Sequence, residues 1–370
     1  MLMNNGHVQA VVLQGGGHFA EVCACDNGAL LTSLLWEPAW QTSDPGDAGF
    51  GVLSEQYGGL PAGPFLAAIA GHSICLDNFG PPSDRAEDGV NLHGEAAVST
   101  WQIEARANGC SMRVELPIAE LAFERSVHLP GGQSVLLVRE RVENEGQRAR
   151  EAHWVQHVCF GQPGCLIGAS VDKCRSWPCG YEGAPLLADD MEFAWPLAPA
   201  IDGSSVDLRQ PFPSKHAETG FVLAAHVRTD VETAWIASVH PHAGCALIYS
   251  FRRDDFPWVA VWEENCARSA APWNKSTTGM EFGTTPMPMG RAAMRAMGSL
   301  WGTPVARRIN AGTTYEVKYA IVATAIPDSF QGVEAISLSQ STVTLLSTNG
   351  FGRLQVPAEG VKEFLYGEAH

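Results

Sequence analysis

The sequence predicts an all-β protein, a large antiparallel β-sandwich with few short helices. Apolar residues make up 45% of its 370 residues and charged residues 17%, so the chain can bury a large core. Gly (38) and Pro (23) are frequent but show no period, which favours short strands between turns. Roughly a dozen short β-prone runs follow one another, and this pattern favours a sandwich or barrel over a βαβ fold.

Each predicted strand is a β-prone or apolar run bounded by turn residues. Ser99–Ala107 alternates, so that Trp101, Ile103 and Ala105 fall on one face. The other predicted strands are Val8–Val12, Ala20–Cys25, Leu30–Trp36, Ser111–Leu116, Glu120–Leu129, Ser134–Asn144, His153–Phe160, Ala234–His240, Cys245–Phe251, Trp258–Trp262, Thr314–Ala323 and Thr342–Thr348.

Helical spacing is rare, and Ala292–Leu300 is the best helix candidate. Residues 266–291 look irregular, and Asp202–His216 reads as a long surface loop. Neither segment resembles a linker that divides the chain. We therefore expect a single domain over residues 1–370.

The charge balance limits the partners of the protein. Acidic residues outnumber basic ones by 40 to 24, giving a formal net charge of −16, which repels nucleic acids and anionic membranes but not neutral ligands. Met1–Gly6 lacks the features of a secretory signal, and no apolar stretch is long enough to span a bilayer. We expect a cytoplasmic protein.

The ten cysteines show neither a zinc-knuckle nor a redox spacing. In a reducing compartment they are expected to be free thiols, with a Cys174–Cys179 disulfide as the alternative. His240-Pro241-His242 could present two imidazoles to a metal, but without an obvious third ligand a turn is favoured. No glycine-rich loop joins a strand to a long helix, so no nucleotide site is predicted.

Three segments place titratable residues among glycines and aromatic residues. The first is Asp88–Glu95, and the second is His153–Phe160. The third begins at Trp258–Asn265, continues through Pro272–Asn274 and ends at Thr278–Pro286. Such surroundings favour a cleft with a few functional polar groups.

These segments resemble motifs of the aldose 1-epimerases, or galactose mutarotases. Leu92–Gly94 resembles the family's Leu-His-Gly motif, and His157–Phe160 is similar to the strand that carries its central histidine. Gly279–Glu281, followed by Thr285–Pro286, resembles the late segment with the catalytic glutamate. The resemblance implies a galactose mutarotase-like supersandwich and an enzyme that interconverts sugar anomers.

The resemblance also implies residue roles. Mutarotation opens a pyranose ring and recloses it on the other face of C1, which needs one base and one acid. By family analogy Glu281 is the base and His157 the acid, while His93 holds the ring-side oxygens. The resemblance implies no metal or organic cofactor.

Further residues are predicted to bind the sugar. Trp258, Trp262 and Trp273 are candidate walls, with Trp262 the first choice, and Glu264 and Asn274 could bind hydroxyl groups. Arg85 stands in for the arginine that the family carries well upstream of the first histidine, although it is nearer in sequence. A sugar is the expected partner, and a homodimer is kept as a candidate assembly.

Two departures from the family pattern leave an alternative open. Gln156 replaces the asparagine before the central histidine, and Glu95 replaces a glycine. They favour a non-catalytic carbohydrate-binding or sugar-sensing protein on the same fold. A neutral sugar is favoured over a sugar phosphate, unless Arg291 and Arg295 face the cleft.

Overall fold

The computed structural model describes residues 1–82, 91–161, 164–177, 181–210, 218–269, 272–350 and 352–367. The N-terminal elements are β1 (Leu2–Asn4), β2 (Val8–Val12), β3 (Phe19–Asp26), β4 (Ala29–Leu30), α1 (Phe50–Gln56), α2 (Gly63–Ala68), β5 (His72–Asp77), β6 (Gln102–Arg106), β7 (Gly109–Leu116), β8 (Leu121–His128), β9 (Val135–Asn144) and β10 (Arg150–Phe160).

The central elements are β11 (Leu166–Ala169), β12 (Val171–Ser176), β13 (Glu192–Ala194), β14 (Leu197–Pro199), β15 (Ser205–Asp207), β16 (Thr219–Val227), β17 (Thr233–His240), β18 (Cys245–Arg252), β19 (Trp258–Asn265) and β20 (Ser276–Gly283). The C-terminal elements are α3 (Gly290–Met297), β21 (Ser299–Leu300), β22 (Thr303–Pro304), β23 (Arg307–Ile309), β24 (Thr314–Ala325), β25 (Val333–Leu338), β26 (Thr342–Ser347), β27 (Arg353–Pro357) and α4 (Val361–Tyr366).

Two large antiparallel sheets form the sandwich. The larger runs in the order β1-β2-β3-β5-β10-β20-β19-β16-β12-β13, with β4 and β23 paired to β3 and β10. The second sheet has the order β11-β17-β18-β24-β9-β8-β7-β6. The predicted all-β sandwich with few short helices is confirmed.

The main core lies between the two sheets. Trp154 and Val158 of β10 and Phe282 of β20 pack there against Tyr249 and Tyr319 of the second sheet, all of them buried. Burial of one large apolar side chain stabilises the fold by roughly 1.5–3 kcal/mol. The opposite face of the second sheet is covered by β25–β27 and α4.

Several predicted elements differ from the observed ones. In Leu30–Trp36 only Leu30 is in a strand, because Leu34, Leu35 and Trp36 are buried by tertiary packing without a continuous ladder. Residues 266–291 contain β20, whose polar and glycine residues weaken the strand pattern although the strand lies between two others.

The helices were also predicted incompletely. The expected helix over Ala292–Leu300 is present as α3, which begins and ends earlier, whereas α1, α2 and α4 are too short to give a clear period. Pro241–Ala243 forms the expected turn, capped by His240 Nδ1. Cys174 is a buried free thiol, and Cys179 lies outside the described residues. Among the described residues, no helix has both the length and the apolar character needed to cross a membrane.

Candidate functional site

A cleft of about 430 Å³ opens on the face of the larger sheet that points away from the main core. Its floor is formed by His93, His157 and Glu281. Its walls are mostly apolar and aromatic: Trp36, Pro61, Ala62, Phe65, Ile69, Pro81, Pro82, Leu92, Trp177, Val222, Trp262, Trp273 and Pro288. A concave apolar site with a few convergent polar groups is typical of ligand pockets.

Strand register brings the two buried titratable residues of the floor together. His157 of β10 lies directly opposite Glu281 of β20, so both side chains point to the same face. His157 Nε2 and Glu281 Oε1 are 3.3 Å apart, and both residues are almost fully buried. On the other side, His157 Nδ1 lies 3.3 Å from Cys159 Sγ.

His93 reaches the floor from the loop after β5. Its φ of 62° is left-handed, and so is that of Gly94 at 88°. A Cβ atom at Gly94 would lie 2.1 Å from the carbonyl oxygen of Leu76, so only glycine allows this close approach. The His93 and His157 ring centroids are 5.1 Å apart. The Gly80 amide donates to His93 Nδ1 at 3.3 Å, which leaves the neutral ring with its proton on Nε2.

Burial sets the protonation of the floor. Desolvation raises the pKa of Glu281 to about 8 and lowers that of His157 to about 4. The pKa of His93 is held well below its ordinary value, first by burial and then by the charge of His157. At neutral pH the Glu281–His157 pair therefore holds one proton, which resides on Glu281.

Gly279 makes room for the Glu281 carboxyl group. Gly279 and Glu281 are two residues apart on β20, so both point to the same face of the sheet. On the neighbouring strand β19, Trp262 lies directly opposite Gly279. A Cβ atom at position 279 would lie 2.4 Å from Glu281 Oε1. The Gly-Met-Glu spacing thus has a steric reason.

The aromatic walls are tied together by a buried carboxylate. The Trp262 Nε1 group donates to the Tyr181 hydroxyl at 3.1 Å, and this hydroxyl donates to Glu264 at 2.7 Å. Arg268 donates to the same Glu264 oxygen at 2.6 Å, while its guanidinium lies 3.9 Å from the ring centroid of Trp273. Glu264 lies on the same face of β19 as Trp262, but it holds the walls in place and is not among the residues that line the cleft.

Comparisons with known proteins support the fold. No family model and no curated protein matches the sequence. A structure from Escherichia coli K12, described as a provisional aldose 1-epimerase, is 13% identical and matches with a TM-score of 0.58, covering 88% of this chain and 98% of that one. A galactose mutarotase-like protein from Clostridium acetobutylicum is 12% identical, with a TM-score of 0.57 and coverages of 88% and 95%.

A galactose mutarotase related enzyme from Lactobacillus acidophilus gives a TM-score of 0.54 at 12% identity, covering 89% of this chain and 98% of that one. This chain has the galactose mutarotase-like fold. The resemblance that implied a mutarotase-like form of the predicted sandwich is therefore confirmed, at an identity that points to a divergent member of the fold.

Within the mutarotase-like fold, the predicted site residues separate into two groups. His93, His157, Glu281, Trp262 and Trp273 all line the cleft. The others are placed differently. Glu264 is occupied by Tyr181 and Arg268, and Asn274 is exposed and outside the lining. The prediction that Trp258 forms a wall is wrong, because Trp258 is fully buried outside the lining and donates to the Pro304 carbonyl. Arg85 lies outside the described residues.

The two departures from the family pattern do not touch the cleft. Gln156 points into the main core, where its amide donates to Glu140 at 2.6 Å. Glu95 accepts the backbone amides of Ile118 and Ala119 at 3.2 and 2.7 Å. Both side chains have structural partners, so neither argues against chemistry at His157.

The nearby arginines are also accounted for. Arg291 forms an ion pair with Asp77 at 3.3 Å, and Arg295 forms one with Glu151 at 3.5 Å. Among the described lining residues the cation is Arg268, which is already bound to Glu264. These contacts favour an uncharged ligand.

Sequence reasoning missed several residues around the cleft. Trp36 comes from a loop and Phe65 from α2, and both are distant in sequence from His157 and Glu281. No periodicity in the sequence predicts that they line the same cleft. Tyr181 and Arg268 come from loops at the end of the sheet. Cys75, beneath the two histidines, could have been found from the strand alternation of His72–Asp77.

Proposed function

We propose that this protein is an aldose 1-epimerase that binds a neutral sugar in the cleft and interconverts its anomers. The observation that carries the proposal is the contact between Glu281 and His157 at the floor of an aromatic cleft, beside His93. The likeness to a galactose mutarotase related enzyme supports the proposal through the fold.

The proposed reaction needs one proton shared between two groups. A base removes the proton of the anomeric hydroxyl, the bond between C1 and the ring oxygen breaks, and an acid protonates that oxygen, giving the open-chain aldehyde. Rotation about C1–C2 and the reverse steps give the other anomer. A pair with a single proton always contains one base and one acid.

The roles follow the family analogy, with Glu281 as base and His157 as acid. Because the proton of the resting pair resides on Glu281, this working form requires transfer to His157 across a contact of 3.3 Å. Such a contact needs only small realignment when a substrate binds. The Nε2–H of His93 then donates to a sugar oxygen near the reacting centre.

The walls suit the apolar C–H faces of a sugar. Trp262 and Trp273 pack edge to face, with ring centroids 6.0 Å apart and nearly perpendicular planes, so together they form one apolar corner of the cleft. Because the cation of the described lining is already paired, a neutral aldose is favoured over a phosphorylated one.

The test follows the optical rotation of freshly dissolved α-glucose and α-galactose with wild-type protein and with Glu281→Gln. We expect wild type to accelerate mutarotation and the substitution to lower that acceleration by about 100-fold to 10,000-fold. The rate should fall when the pair loses its proton above about pH 8 or gains a second below about pH 4.

Glu263→Gln is a matched control, because Glu263 is also buried but points to the other face of β19. It should retain the wild-type rate. Absence of acceleration by wild type on a panel of common aldoses would refute the epimerase. Calorimetric sugar binding without acceleration would instead support the non-catalytic alternative.

A further inference from the structure

Three side chains that commonly bind metal ions lie close together at the cleft floor. The proposed mutarotation uses the two histidines among them but does not use the cysteine. One ligand atom each of Cys75, His93 and His157 lies within 4.8 Å of the other two. Cys75 of β5 pairs with Val155 of β10, two residues from His157, so its thiol and the imidazole share a face of the sheet.

We propose that Cys75, His93 and His157 form a binding site for a zinc-type divalent cation. A thiolate with two imidazoles is a donor set that binds zinc in preference to calcium or magnesium, because calcium and magnesium favour oxygen ligands. Three protein ligands leave a fourth tetrahedral position. This position can face the cleft, which His93 and His157 line.

The geometry requires a modest contraction. Tetrahedral bonds of about 2.0–2.3 Å place ligand atoms roughly 3.3–3.6 Å apart, so the cluster must close by about 1.5 Å at most. Side-chain rotation can supply this, because Cys75 and His157 are fixed by adjacent strands while His93 is on a loop. Coordination through His93 Nε2 moves its ring proton to Nδ1 and gives up the long contact with Gly80.

The surroundings suit a cation. The cleft, which His93 and His157 line, provides a path for entry beside the half-buried His93. A metal there would also release the thiol proton of Cys75. Because the cation binds His157, it excludes the proton transfer between Glu281 and His157 on which the proposed epimerase depends, and it competes with the sugar.

The test titrates metal-free protein with Co²⁺, which reports a bound thiolate through a charge-transfer band and a tetrahedral site through its visible absorption. We expect saturation at one Co²⁺ per chain, displacement by Zn²⁺, and at least a tenfold weaker affinity in Cys75→Ala. Cys110→Ala is the matched control, since Cys110 is equally buried but lies in the main core. It should bind like wild type.

A wild-type Co²⁺ spectrum without a thiolate band overturns the proposal, and so does unchanged affinity in Cys75→Ala. The wild-type spectrum decides the question even if Cys75→Ala does not fold. Because the readout is spectroscopic, the site and the epimerase can fail separately: inactive protein can still bind Co²⁺, and active protein can lack the band.

Discussion

Two neighbouring residues of β10 face two different buried polar clusters. Gln156 points into the main core, toward the carboxylate of Glu140, whereas His157 points into the cleft, toward Glu281. Both carboxyl groups are almost completely buried. The clusters differ in how many hydrogen bonds the carboxyl group receives.

Glu140 is satisfied on both oxygens. Its Oε1 atom accepts from Arg125 Nε at 2.8 Å and from the Tyr319 hydroxyl at 3.0 Å. Its Oε2 atom accepts from Trp154 at 2.9 Å and from Gln156 at 2.6 Å. Such a network joins the two sheets and contributes to stability and to a unique packing.

Glu281 has a much poorer environment. Among the described residues its charged-group contact is His157, and burial raises its pKa to about 8. A buried carboxyl group that receives so few hydrogen bonds lowers the stability of the fold. Such groups are common at sites that bind ligands or transfer protons. Burial alone therefore does not separate the two carboxyl groups, whereas the number of hydrogen bonds that each receives does.

The largest expected effect tests this contrast directly. Glu140→Gln should lower the free energy of unfolding by about 3–5 kcal/mol, because Arg125 is left buried without its charge partner. Glu281→Gln should instead raise it by about 1–2 kcal/mol at pH 6, because the amide is neutral in both states, whereas the wild-type carboxyl group is protonated in the folded chain and ionised in the unfolded one. Denaturant unfolding of both variants measures the difference. Equal losses would contradict the division into a structural and a functional cluster.

A smaller effect concerns pH. Glu281 has a pKa of about 8 in the folded chain, against an ordinary value of 4.5. Between pH 4.5 and pH 8, the folded chain therefore holds a proton on Glu281 that the unfolded chain has lost. Stability therefore falls as pH rises through this window. His157, lowered from 6.5 to about 4, acts in the opposite direction between those values, because there the unfolded chain holds the extra proton.

The two contributions oppose each other up to about pH 6.5, and Glu281 acts alone from there to about pH 8. Relative to wild type, Glu281→Gln should therefore gain about 1–2 kcal/mol between pH 6.5 and pH 8. Unfolding free energies measured across this range test it, with Glu359→Gln, which removes an exposed carboxylate, as the control for a general change in charge. A constant difference would mean that Glu281 is ionised throughout.

The fold was predictable because β8, β9, β17 and β18 alternate or are strongly β-prone in a way that sequence shows. Strand β20 was missed because Gly279 and its polar neighbours weaken that signal, although the strand carries Glu281. His93, His157 and Glu281 could be proposed only through the family resemblance. Their meeting depends on strand register and on a loop conformation that no local pattern encodes.

The roles of Gln156 and Glu264 were beyond sequence reasoning for a different reason. Gln156 adjoins a site residue along the chain but points to the opposite face, and the sequence does not say which face is the cleft. Glu264 was expected to bind hydroxyl groups, yet its partners Tyr181 and Arg268 come from two loops whose positions depend on tertiary packing.

Glu264 gives the finest test of the comparison, because it lies on the cleft face like Glu281 but is satisfied like Glu140. If unmet hydrogen-bonding capacity marks the functional carboxyl group, Glu264→Gln should raise KM by about 3-fold to 10-fold, for a loss of about 1 kcal/mol in binding, and leave kcat within about twofold. Glu263→Gln, one residue away on the other face, should change neither constant. Steady-state kinetics on the aldose with the highest rate separates kcat from KM. A fall in kcat as large as that of Glu281→Gln would contradict the prediction. It would show that position on the cleft face, rather than the number of hydrogen bonds received, decides the role of a buried carboxyl group.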